Sequence, residues 1–171
     1  MAFTALNIAV LTVSDTRTED TDTSGQYLQN AVIEAGHTLA TSKIVIDDVY
    51  LLRAQVSQWI ADPAVHVVLV TGGTGFTDRD STPEALSVLF DKQVEGFGEL
   101  FRAISYEEIG TSTVQSRALA GLANHTAIFC MPGSTGACRT AWSKIIEPQL
   151  DAGHRPCNFV GHLTTHLLAH G

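Results

Sequence analysis

The chain has 171 residues, 44% of them hydrophobic and 16% charged, and a formal net charge of −8. That length and balance fit one globular domain and exclude general disorder. The acidic charge argues against nucleic acid as a partner, because binding a phosphate backbone needs a basic face.

No apolar run reaches the ~18 residues of a membrane-spanning helix, so no membrane partner is expected. The N-terminal stretch MAFTALNIAVLTVSD lacks a basic flank and reads as a strand rather than a signal peptide. The expected location is therefore cytoplasmic. Cys130, Cys138 and Cys157 are an odd set without close pairing. They suit a reducing compartment and read as small buried hydrophobes.

Asn7–Val13 reads as a buried strand, and the polar stretch 14–24 as a loop. Residues 25–35 place Tyr27, Leu28, Ala31 and Val32 at helical spacing, with Gly36 as C-terminal cap. A second strand is predicted over 38–46 and an amphipathic helix over 49–60, ended by Asp62-Pro63. Residues 65–71 (VHVVLVT) form a third, near-continuous apolar strand. A glycine loop follows, and Pro83 opens a helix over 84–90 with Thr82 or Ser81 as its cap. Residues 96–109 read as helical, 111–121 as polar residues and then a short helix, and 126–131 as a strand. After the turn Pro132-Gly133-Ser134 comes a helix over 135–150, interrupted near Pro148, and a last helix over 160–170. Trp59 and Trp142 read as core or subunit-interface packing, and Phe97, Phe101 and Tyr106 as core or oligomer surface.

Apolar strands alternating with helices predict a single α/β domain over residues 1–171. Its expected form is three-layered and doubly wound, a mostly parallel sheet with helices on both faces. Ligands of such folds sit at the carboxyl ends of the strands, here the loops after Val13, Thr71 and Met131.

The middle loop reads TGGTGFTDRDSTPEA from Thr71 to Ala85. Gly72, Gly73 and Gly75 let backbone N–H groups converge on phosphate oxygens, and Thr71 and Thr74 add hydroxyls. It is neither a Walker loop nor a dinucleotide fingerprint. Asp80, beside such a loop, suits Mg²⁺, which combines carboxylates with water and substrate phosphates. Arg79 fits either a phosphate or a pairing with Asp80. Gly133 and Ser134 lead into a helix N-terminus that favours an anion, while Arg139, further along, suits a surface pair or a subunit contact.

This loop, with SDTR at 14–17, the pair Asp47-Asp48, EEIGTSTVQSRALAG at 107–121 and MPGSTGACRTAW at 131–142, resembles the molybdopterin-binding family of molybdenum cofactor biosynthesis, and most of all its B branch. The resemblance spans nearly the whole chain. It implies a homo-oligomer, trimer or hexamer, acting beside other molybdenum cofactor synthesis proteins. It also implies adenylylation of molybdopterin with Mg-ATP, giving adenylyl-molybdopterin and pyrophosphate. The family's two acidic positions fall on Asp80 and Asp47, implied to hold Mg²⁺ on the triphosphate. Asp47 and Asp48 equally suit capping of the following helix. The implied substrate contacts are Ser14 and Asp15, the loop from Thr71 to Gly75, Ser112, Ser116 and Arg117, and Pro132 to Ser134. Asp15 fits either the pocket or local ordering of its loop. A second reading stays open: a non-catalytic molybdopterin-binding or scaffold protein of the same pathway. His162, His166 and His170 would share a helix face, but no carboxylate or cysteine set stands near them in sequence.

Overall fold

The computed structural model describes residues 2–168, with side chains described through residue 165. Six strands form one sheet in the order β2-β1-β3-β6-β5-β4. They are β1 (Asn7–Val13), β2 (Thr38–Val45), β3 (Val67–Thr71), β4 (Lys92–Gln93), β5 (Leu119–Ala123) and β6 (Thr126–Met131). β1 pairs in parallel with β2 and β3, and β3 with β6, while β5 and β4 run antiparallel. The chain steps from β1 to β2 on one side, then returns to place β3 on the other side of β1. That reversal opens a crevice beyond the carboxyl ends of β1 and β3, where doubly wound sheets bind ligands.

The central strands are apolar along their length because both faces are covered. Ile8, Val10, Leu69 and Phe129 face one core, under α1 (Thr23–Glu34), α4 (Glu95–Ile109), α5 (Thr135–Ala141) and α7 (Val160–Leu168). Ala9, Leu11, Val68, Val70 and Ile128 face the other, under α2 (Val49–Ala61) and α3 (Thr82–Leu86). The three-layer expectation therefore holds. No helix among the described residues is long and apolar enough to cross a membrane.

Residues 111–121 depart from the expected short helix. Gly110–Gln115 is a 3₁₀ turn, and Leu119–Ala123 is β5. Leu-Ala-Gly-Leu-Ala is a helix-forming composition, but pairing with β6 overrides that preference. The two-residue β4, too short to leave a pattern, pairs with β5 at the edge. The helix expected over 84–90 is shorter and earlier, and its continuation Ser87–Leu89 is 3₁₀. The long C-terminal helix passes through a π turn at Trp142–Ile146 before α6 (Glu147–Gln149). Pro148 lacks the N–H that a regular α-helical ladder needs there.

Trp59 and Trp142 are buried core residues, as are Phe97 and Phe101, whereas Tyr106 is exposed. Cys130 and Cys138 are buried, but Cys157 lies exposed in the irregular segment before α7, contrary to expectation. The last part of the expected 160–170 helix, and the side chains of His166 and His170, lie outside the described residues.

Candidate functional site

The site grows from the turn after β3. Gly72 and Gly73 adopt φ of +100° and +69°, a region that favours glycine. A Cβ on Gly72 would stand 2.4 Å from the Val13 carbonyl oxygen, so glycine here lets the loop lie against the end of β1. The carbonyls of Gly72, Gly73, Thr74 and Gly75 are each held by Thr82 or Arg117. Thr82 donates its hydroxyl to the Gly72 oxygen (2.8 Å) and its N–H to the Gly73 oxygen (2.9 Å). Arg117 donates to the Thr74 oxygen (3.4 Å) and twice to the Gly75 oxygen (2.9 and 2.6 Å). Thr71 Oγ1 donates to the Pro132 carbonyl (3.0 Å), tying the loop after β6 to this one.

The acidic residues separate into distinct roles. Asp80 Oδ2 accepts from the Thr77 N–H (2.9 Å) and hydroxyl (2.7 Å). The hydroxyl bond holds its carboxyl below the usual range despite partial desolvation, so it is ionised at neutral pH. Asp47 is buried, and its Oδ1 accepts from the Ser81 N–H (3.1 Å) and from the Ser81 hydroxyl. Burial pushes its pKa up, and the charges of Asp80 and Asp15 add to that. Asp48, in contrast, caps α2 by accepting from the N–H groups of Tyr50 and Leu51, both at 2.9 Å. Ser81 occupies the cap position of α3, but its hydroxyl serves Asp47 instead of the helix.

Asp15 fastens three loops together. It accepts from Arg79 Nε (2.9 Å) and Nη2 (2.8 Å), and from the Asp47 N–H (3.0 Å). Arg79 thus pairs with Asp15, not with Asp80 as one sequence reading had it. The guanidinium lowers the Asp15 pKa from 3.8 to about 2. A depressed carboxylate stabilises the fold above its unfolded pKa and loses that contribution as pH falls through the folded value. Asp15→Asn is expected to flatten the loss of stability between pH 4 and pH 2, read from urea midpoints across that window. An unchanged slope would remove the clasp from the acid response.

In front of these loops lies a cavity of about 580 Å³. The end of β1 contributes Val13, Ser14 and Arg17; the glycine loop contributes Thr71 through Gly75, and Asp80. The 3₁₀ turn adds Ser112, the residue after it Ser116, and the turn after β6 adds Pro132, Gly133 and Ser134. Ser134 also caps α5, accepting from the Ala137 N–H (3.2 Å). Three of the implied catalytic and substrate-contact residues do not line the cavity. Asp15 works as the clasp, Asp47 lies behind the loop against Ser81, and Arg117 braces the loop carbonyls and pairs with Glu84. Arg139 stacks over the Tyr27 ring, 5.3 Å from its centroid.

The structure also brings in residues that sequence reasoning passed over. Asp22 is buried, takes the Thr12 hydroxyl at 2.6 Å and caps α1 through the Gly25 N–H at 2.9 Å. The Asp-Thr-Ser-Gly run before an apolar helix is a readable cap signal. Ser105, Glu108 and Ile109 line the cavity from one stripe of α4, joined by Phe101, which the sequence places only as a packing residue.

Among the described residues no three His, Cys, Asp or Glu side chains are grouped to hold a metal by themselves. Asp80 offers a hard carboxylate oxygen on the cavity wall, while Asp47 lies behind the loop on Ser81. The Asp80 oxygen fits Mg²⁺, which takes its remaining ligands from substrate phosphates and water.

Fold and cavity together define a doubly wound α/β domain with a cavity at the switch point. The family model described as "Probable molybdopterin binding domain" matches residues 9–152, and the chain belongs to that family. It is 62% identical over 161 residues to molybdenum cofactor biosynthesis protein B of Escherichia coli K12, covering 94% of this chain and 95% of that one. Against the protein of that name from Bacillus subtilis 168 the figure is 48% over 142 residues, covering 82% and 84%. A crystal structure of molybdenum cofactor biosynthesis protein B superposes with a TM-score of 0.87 at 44% identity, covering 99% of both chains. The tungsten cofactor synthesizing protein MoaB from Pyrococcus furiosus gives 0.76 at 34% identity, covering 97% of this chain and 96% of that one.

Proposed function

We propose that the protein acts in molybdenum cofactor biosynthesis by binding molybdopterin and adenylylating it with Mg-ATP. The observation that carries this reading is the ionised Asp80 on the wall of a cavity floored by the glycine loop. Family membership supplies the pterin, and the loop supplies the phosphate chemistry.

In this reaction a terminal phosphate oxygen of molybdopterin attacks the α-phosphorus of ATP. One P–O bond forms there, the α–β bridging P–O bond breaks, and pyrophosphate leaves with its electron pair. The protein has little covalent chemistry to perform and acts by positioning and charge stabilisation. The loop N–H groups and the Ser134 turn receive phosphate oxygens, while Asp80, with Asp47 behind it, would hold the cation on the triphosphate. Mg²⁺ bound there would neutralise the charge that develops on the leaving pyrophosphate.

The test is an anaerobic assay with molybdopterin, ATP and Mg²⁺, scoring adenylyl-molybdopterin and pyrophosphate. Chelation of the metal is expected to stop product formation, and added Mg²⁺ to restore it. Molybdopterin bound tightly with no product formed would make the chain a binding or scaffold protein. Product formation indifferent to chelation would remove the metal from the reading.

A further inference from the structure

Adenylyl transfer uses the glycine-loop end of the cavity and leaves the α4 wall without a role. That wall carries one charged group, Glu108. Its Oε1 accepts from Lys144 Nζ (3.0 Å), and the Thr140 hydroxyl lies 2.9 Å from Oε2 and 3.1 Å from Oε1. Thr140 lies on α5 and Lys144 on the π turn that continues it, so the carboxylate is held from that side. A hydroxyl has one proton to give, so these two donors satisfy about two of the roughly four acceptor sites of a carboxylate. The Glu108 side chain is 41% exposed, which leaves the other sites open.

The other carboxylates of the lining are committed elsewhere. Asp22 is 4% exposed and has both oxygens engaged. Asp80 belongs to the glycine loop and the phosphates. On α4, Phe101, two turns before Glu108, and Ile109, next to it, also line the cavity and give the same wall apolar side chains. An ionised carboxylate beside apolar side chains suits a flat ring presenting two adjacent N–H donors, because such a pair binds both oxygens in parallel.

We propose that Glu108 receives the ring N–H and exocyclic amino group of the pterin's 2-amino-4-oxo edge. It thereby selects a pterin over the corresponding 2,4-dioxo ring (a lumazine), whose second carbonyl would face the carboxylate. This inference rests on the reading of the cavity as a molybdopterin site. Lys144 and Thr140 act as positioning residues that fix the carboxylate.

The experiment is a fluorescence titration of the full chain with 6-(phosphoryloxymethyl)pterin and with its lumazine counterpart, in wild type and in Glu108→Gln. Wild type is expected to bind the pterin roughly 10- to 100-fold more tightly than the lumazine. Glutamine is isosteric and can both accept and donate, so the variant is expected to lose most of that preference. A preference that survives in Glu108→Gln, an equal weakening of both probes, or no preference in wild type overturns the inference and leaves the molybdopterin reading intact. Failure of wild type to bind either probe, together with failure to bind molybdopterin itself, overturns both.

Discussion

Asp80→Asn is expected to fold normally and to lose adenylylation by roughly a thousandfold. The change removes a charge and little else. Asparagine keeps an oxygen that accepts from the Thr77 N–H and hydroxyl, the two bonds that now orient Asp80 Oδ2. The side chain lies on the cavity wall and outside both hydrophobic cores, so packing is untouched. On the proposed mechanism, what disappears is the anionic ligand for a cation on the triphosphate. Product formation under single-turnover conditions, set beside a thermal melt, separates the two effects. A melt like wild type with activity undiminished would take Asp80 out of the mechanism.

The second large effect is structural. Gly72→Ala places a methyl 2.4 Å from the Val13 carbonyl oxygen at a φ of +100°. Both the strained backbone and the backbone clash must be accommodated, at a combined cost of about 2–4 kcal/mol. For a domain of this size that lowers the melting temperature by roughly 5–15 °C. The shift also forces β1 and the loop apart at the cavity floor, so ligand binding is expected to fall with stability. Gly96→Ala is the control, because a Cβ there meets nothing within 4 Å and the position lies in α4. It is expected to be neutral or to stabilise by up to ~1 kcal/mol. Calorimetry on the two variants checks the contrast. Equal melting temperatures would mean that the loop yields without cost.

How much of this was legible in the sequence follows from the range over which each signal acts. The central strands were readable because burial on both faces leaves an unbroken apolar run, as in Val67–Thr71. Leu119–Ala123 was not, because its strand state comes from pairing with β6, and its residues by themselves favour a helix. The glycine loop was readable because its geometry restricts residue type locally. The division of labour among Asp15, Asp47 and Asp48 was not. All three are acidic residues at strand ends, and only the folded chain puts Arg79 on the first, Ser81 on the second and helix N–H groups on the third. Arg117 read as a cation for phosphate because its partners are carbonyls 37 to 43 residues away, which no local pattern announces.

Those carbonyl bonds bear on the energetics of charge stabilisation. In a trans peptide the N–H points opposite to the C=O. Thr82 and Arg117 engage the carbonyls of Gly72, Gly73, Thr74 and Gly75, and so set the direction of the N–H groups that follow them. The peptide dipoles are therefore oriented when the chain folds, before any ligand arrives. Water must reorient around a developing charge; a braced loop has no such reorganisation energy left to supply. In the proposed reaction the two residues behind the loop would thus act on the barrier without reaching the reacting atoms.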